Sequence, residues 1–227
     1  MSKTTIRADF SQRVVIRPED YIWESSPTQG VLRVKFDRIG DEVARATSLV
    51  RYTPNSEFPT HQHFGGEEIL VLEGLFEDDT GQYPAGTYLR NPIGSEHQPK
   101  AGGDGALLFV KLGQFSTADI QTTRISTFEQ SWSQGLVPGL TVLPLHEHAT
   151  EHTALVNWLP NTQFQRHTHI GGEEIFVIRG TFYDEHGSYE SGSWIRSPHM
   201  STHTPYTKED GALIYVKTGH LTSSWIR

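Results

Sequence analysis

"THQHFGGEEILVLEG", from Thr60 to Gly74, and "RHTHIGGEEIFVIRG", from Arg166 to Gly180, are nearly the same line written twice in a chain of 227 residues. Each copy places two histidines and two glutamates around a glycine pair. His61 and His63 are two residues apart, a spacing that splits them to nearly opposite sides of a helix but puts them on one face of a strand. The glycines that follow disfavour a helix and permit a tight turn, which can bring Glu67 back toward the histidines. Further along, "GTYLRNPIGSEH" delivers His97 just after a Pro-Gly turn. The second half repeats the whole set as His167, His169, Glu173 and His203.

The echo extends well beyond this line. At an offset of 106 the chain matches itself without a gap from Leu49 to Gly113, with about half of the positions identical. Pro54 meets Pro160, Gly86 meets Gly192, and "DGALLFVKLG" meets "DGALIYVKTG". So long a period indicates a duplicated domain, because solenoid repeats run to about 20–50 residues. Within each half, segments such as "ATSLVRY" and "EEILVLEGLFED" are short, rich in β-branched and aromatic residues, and bounded by Gly, Pro, Asn or Asp. That spacing predicts an all-β fold of two tandem antiparallel barrels. The boundary is set in the polar stretch "STADIQTTR", giving domains of residues 1–118 and 119–227. "ADIQTTRISTFEQSW" is the best candidate for a helix.

Composition narrows the function. The formal net charge is −8 and the 19 basic residues are scattered, whereas nucleic-acid binding draws most of its affinity from a basic face. No stretch approaches the roughly 20 apolar residues that span a bilayer, and "MSKTTIRADF" lacks the apolar core of a signal peptide. With no cysteine there is no disulfide, thiolate metal site or cysteine nucleophile. A cytoplasmic protein that binds neither nucleic acid nor membrane is the expectation. No Ser-His-Asp order, phosphate-binding glycine loop or close carboxylate pair stands out.

Three imidazoles and a carboxylate converging inside a barrel suit a divalent transition metal, since imidazole favours iron, nickel, copper or zinc over magnesium or calcium. Four protein ligands close a tetrahedral zinc site. The same four leave two positions open on a six-coordinate metal, and the residues alone leave that choice undecided. "LHEHATEH" also contains an HxH pair, His146 and His148, but its first-half counterparts are Gly40 and Glu42. It reads as a solvated strand end.

The spacing H-x-H-x3-E-x6-G followed by G-x5-P-x-G-x2-H resembles the two-part cupin signature. The first half meets both parts with His61, His63, Glu67, Gly74, Gly86, Pro92, Gly94 and His97; the second departs once, with Met200 in place of the glycine. Ala101 and Thr207 stand where the second motif often ends in asparagine. Within the cupins, "ARATSLVRY", "HFGGEEILVLEG" and "YPAGTYLRNPIGSEH" resemble the cupin domain of ChrR-like anti-sigma factors. The resemblance implies two jelly-roll barrels in one chain, packed as a cupin dimer would be, with a homodimer of the whole chain compatible. It implies zinc at each ligand set, up to two per chain; iron, nickel and manganese fit the same donors.

It also implies a metal site responsive to an oxidant or small molecule. The sigma-binding module of that group uses cysteine and histidine, and this chain has no cysteine and no histidine before His61, so a sigma factor is not expected as a partner. The same cupins are similar to metal-dependent dioxygenases that cleave diketone-like compounds, which is the alternative function. No reaction and no catalytic residue is assigned at this stage.

Several further residues carry expectations. Glu68 and Glu174 should point away from the metal, toward a salt bridge or a supporting contact. Arg90 and Arg196 could pair with Asp78 and Asp184 or attract an anionic substrate. The aromatics Tyr52, Phe58, Tyr88 and Phe109, echoed by Trp158, Phe164, Trp194 and Tyr215, fill a core or roof a pocket. Met200, and Trp194 if it points inward, are expected to narrow the second pocket, and His199 to add a polar group or a fifth ligand there, leaving the first as the working one. The alternative is that Met200 points to solvent and both pockets stay open.

Overall fold

The computed structural model describes residues 4–221. It is built from antiparallel strands, with only two short 3-10 turns, Pro18–Asp20 and Thr127–Glu129, and no α-helix among the described residues. None of its helical segments is long and apolar enough to cross a membrane. The chain forms two compact units: residues 4–8 with Ile22–Glu129, and Asp9–Tyr21 with residues 130–221.

In the first unit, the main sheet runs in the order Thr5–Ile6, Val31–Gly40, Ala44–Tyr52, Lys100–Leu112, Glu67–Asp78, Thr87–Asn91 and Thr123–Ser126. A separate ribbon pairs His61–Gln62 with Glu96–His97. The second unit repeats this order from the second strand on, with Leu140–His148, Glu151–Trp158, Ala212–Thr218, Glu173–Asp184 and Trp194–Ser197. Ser133–Gln134 pairs with Leu140–His148 as Glu24–Ser25 pairs with Val31–Gly40, and the ribbon joins His167–His169 to Ser201–His203. Period-2 alternation sends one face of each sheet inward. The two interiors are filled by equivalent apolar residues, among them Ile69, Phe76 and Leu108 in one unit and Ile175, Phe182 and Ile214 in the other.

Two segments fall outside the division drawn at residues 118 and 119. The strand Val14–Ile16 closes the sheet of the second unit by pairing with Trp194–Arg196. Thr123–Ser126, beyond the expected boundary, closes the first by pairing with Thr87–Arg90. The helix considered for "ADIQTTRISTFEQSW" is therefore this strand followed by one 3-10 turn. Its alternating Thr-Arg-Ile-Ser side chains suit a pleated edge, and an adjacent strand supplies the backbone partners a helix would have to supply itself.

Candidate metal centres

In the first unit the ribbon register sets His97 opposite His61. The left-handed turn at Gly66, φ +77°, then starts the strand that carries Glu67. A side chain at the preceding Gly65 would meet the Cα of Gly113 at 2.5 Å, so the pair is required by close approach as well as by the turn. His61, His63, Glu67 and His97 thereby offer one donor atom each, all within 4.8 Å of one another; His167, His169, Glu173 and His203 do the same in the second unit. All eight residues expected from the sequence are thus brought together in two groups that could hold a metal ion.

The protonation pattern fits a cation. The Nδ1 of His61 lies 3.0 Å from the carbonyl oxygen of Pro59, and that of His167 lies 3.0 Å from Gln165 O. A carbonyl can only accept, so each Nδ1 carries the hydrogen and each Nε2 keeps its lone pair for the centre. His97 Nδ1 donates to Asp78 Oδ2 at 3.0 Å, the carboxylate–histidine pairing that supports metal ligands. The Nε2 atoms of His63, His97, His169 and His203 are buried without a hydrogen-bond partner. Two ring nitrogens orphaned in this way in each centre are costly unless a cation lies beside them.

The two centres differ in their support. Asn91 donates to Glu67 Oε2 at 2.9 Å and is itself held by Arg124, 2.7 Å from its Oδ1. Burial pushes the Glu67 carboxyl up, but the rings of His63 and His97 and the Asn91 hydrogen bond outweigh it and hold the group below its ordinary value. Opposite Glu173 stands Ser197, and burial pushes Glu173 up to about 7, against the pull of His203. Burial also depresses His63, and takes His169 down to about 3. His97 and His203 go the other way, because Asp78 and Asp184 more than offset their burial.

Glu68 and Glu174 do face away from the donors. Glu68 accepts from Tyr88 Oη and Arg90 Nη1, both at 3.0 Å, while Glu174 accepts from Trp194 Nε1 at 2.7 Å. The pairing of Arg90 with Asp78 and of Arg196 with Asp184 is not what the structure has. Arg90 bonds Glu68 and Asp119, and Arg196 bonds the Asp9 carbonyl and lies over the Phe10 ring. Both arginines are fully buried on the opposite face of the strand, so neither reaches a ligand beside the metal donors. Their residue parity matches Glu68 and Glu174, a signal present in the sequence.

A cavity of about 280 Å³ opens onto the first donor set, lined by His61, His63, Glu67, Tyr52 and Phe58 with Arg33 and Glu42. Arg33 had not been singled out from the sequence. It pairs with Glu42 at 3.2 Å and lies over the Phe58 ring. Tyr88 and Trp194 belong to the glutamate face instead, and Phe109 packs on Phe36. The expected narrowing of the second pocket by Met200 and Trp194 is overturned. Met200 is 57% exposed, and His199 Nδ1 accepts the Gly171 amide at 2.8 Å, leaving no role as a fifth ligand. Larger residues stand elsewhere in that barrel: strand register matches Val31 with Leu140 and Tyr52 with Trp158.

Two barrels, each with an inward three-histidine, one-glutamate set, define a tandem cupin. The ChrR cupin-like domain model matches twice, over residues 11–116 and 121–222, and the chain belongs to that family. Similar folds include a candidate dioxygenase from Nostoc punctiforme, with a TM-score of 0.77 at 16% identity, covering 93% of this chain and 84% of that one. An oxalate decarboxylase from Lactobacillus farciminis, solved as a formate complex, gives 0.67 at 11% identity, covering 96% and 90%. A cupin 2 conserved barrel domain protein from Leptotrichia buccalis gives 0.61 at 13% identity, covering 90% and 95%. At these identities the likeness is one of fold. No curated protein matches the sequence.

Proposed function

We propose that the first unit carries the working centre, a divalent-transition-metal site that takes a small oxygen-bearing organic molecule and acts on it as a dioxygenase-type enzyme. The observation that carries this reading is the cavity of about 280 Å³ lined by His61, His63 and Glu67, three of the four donors of the first set. A closed structural zinc site needs no such access, whereas a site that binds substrate does. The bound metal would supply Lewis acidity and, if iron, redox chemistry.

The chain's own residues would bind and orient. Val50, Phe58, Ile69 and Leu108 give the cavity apolar walls that exclude water. Tyr52 is buried beside Glu67, and both effects push its hydroxyl above the ordinary tyrosine range. It stays a proton donor at neutral pH, suited to hydrogen-bond a carbonyl oxygen of the bound molecule. Arg33 offers a cation to an anionic end, because its exposed partner Glu42 holds it by a surface pair worth only about 0–1 kcal/mol.

Reconstitution with ferrous iron without oxygen, followed by oxygen admission with a panel of diketones and hydroxyketones, tests the reaction. Oxygen uptake that Glu67→Ala or His97→Ala abolishes is the expected result. Bound iron with no uptake across the panel contradicts it and favours a metal centre that reports a ligand, as the ChrR-type relationship suggests.

A further inference from the structure

The two donor sets are nearly superimposable in sequence, yet the strand that closes each sheet treats them differently. In the first unit that strand contributes Arg124, which lies opposite Leu89. In the second, Val15 lies opposite Ile195, the equivalent place. Arg124 lies over the Tyr83 ring, and its guanidinium bonds the Arg90 carbonyl at 2.9 Å and Asn91 Oδ1 at 2.7 Å. Holding the amide oxygen fixes which way Asn91 faces, so its nitrogen must donate to Glu67 Oε2, at 2.9 Å. Among the described residues neither link exists around Glu173, where Val15 and Ser197 occupy the two positions and Ser197 makes no hydrogen bond to Glu173.

The second unit also has an arginine on the equivalent tyrosine, but it turns elsewhere. Arg13 lies over Tyr189, bonds its hydroxyl at 2.6 Å, and reaches Asp184 Oδ2 at 3.3 Å. That same oxygen faces His203 Nδ1 at 3.6 Å, whereas Asp78 Oδ2 holds His97 Nδ1 at 3.0 Å. One arginine therefore stiffens a ligand carboxylate through asparagine, while the other competes with a ligand histidine for its supporting aspartate.

We infer that Arg124 and Asn91 are positioning residues that make the first centre the tighter metal site, and that Arg13 loosens the second. The inference rests on the metal reading of both donor sets. Partners at this remove commonly change metal affinity by about 10–100-fold. They act by fixing the ligand before the ion arrives.

The test uses the full chain with one centre disabled, His167→Ala/His169→Ala to isolate the first and His61→Ala/His63→Ala to isolate the second. Cobalt(II) is the probe, its dissociation constant measured against a competing chelator and its absorption spectrum recorded. In the isolated first centre, Asn91→Ser and Arg124→Val should each weaken cobalt by about tenfold or more and alter the spectrum. Arg124→Lys, which keeps a donor for Asn91, should recover part of the loss. In the isolated second centre, Arg13→Val should tighten binding several-fold.

Asn91→Ser protects the test against misfolding, because Arg124 also braces the backbone. Unchanged constants in folded Asn91→Ser and Arg124→Val proteins, or weaker binding in Arg13→Val, would overturn the inference while leaving the metal reading intact. Failure of either parent variant to bind cobalt would bring down the metal reading itself.

Discussion

The two units share donors and ribbon register, and differ in what surrounds them. In the first, Tyr52 and Val31 leave a cavity of about 280 Å³ against the ligands. In the second, Trp158 and Leu140 hold the corresponding places, and Trp158 packs against Phe164 and Phe182 with its indole nitrogen buried and unpartnered. The ligand set is thus kept twice, while larger side chains stand beside the second copy.

Exchanging those side chains should break the contrast most strongly. Tyr52→Trp with Val31→Leu should cut small-molecule binding at the first centre by more than tenfold while leaving its metal in place. Elemental analysis beside a ligand titration separates the two effects, and overpacking should cost about 1–3 kcal/mol in the thermal melt. The reverse pair, Trp158→Tyr with Leu140→Val, should open the second centre to ligand.

The supporting aspartates give the next effect. Asp78→Asn should weaken metal binding by about 10–100-fold. Asp184→Asn should do less, because its carboxylate is shared with Arg13 and stands 3.6 Å from His203. Chelator competition on the isolated centres checks the order. Arg33→Ala is expected to weaken carboxylate-bearing ligands several-fold and neutral ones hardly at all; equal loss for both would remove it from ligand recognition.

Met200→Gly should do least. Met200 is exposed and has φ +65°, so glycine relieves a strained backbone by about 1 kcal/mol. Neither metal nor ligand binding should change, and a gain in ligand binding at the second centre would restore the idea that this side chain blocks it.

The donor sets were legible because both chemistry and backbone constrain them: HxH on a strand, a glycine turn, then Glu, all repeated at one offset. Asp78 and Arg90 were harder. Each has an obvious opposite charge within the repeat, and which pairs with which depends on strand parity, as Glu68 and Arg90 share one face. Arg124 and Val15 were beyond reach for a different reason. They lie outside the aligned block, in edge strands whose partners are set by long-range pairing, and no local pattern in "TTRIS" or "RVVIR" says which sheet each will close. Met200 misled because its position implied a side chain in the pocket, whereas the left-handed turn it occupies aims that side chain outward.

Unequal access to two like metal centres is the central claim, and cobalt(II) in the isolated centres measures it directly. Acetylacetone, a small chelating diketone, should shift the cobalt spectrum when the ion sits among His61, His63, Glu67 and His97. It should leave the spectrum unchanged when the ion sits among His167, His169, Glu173 and His203. An equal shift in both, or a larger one in the second, would contradict the account.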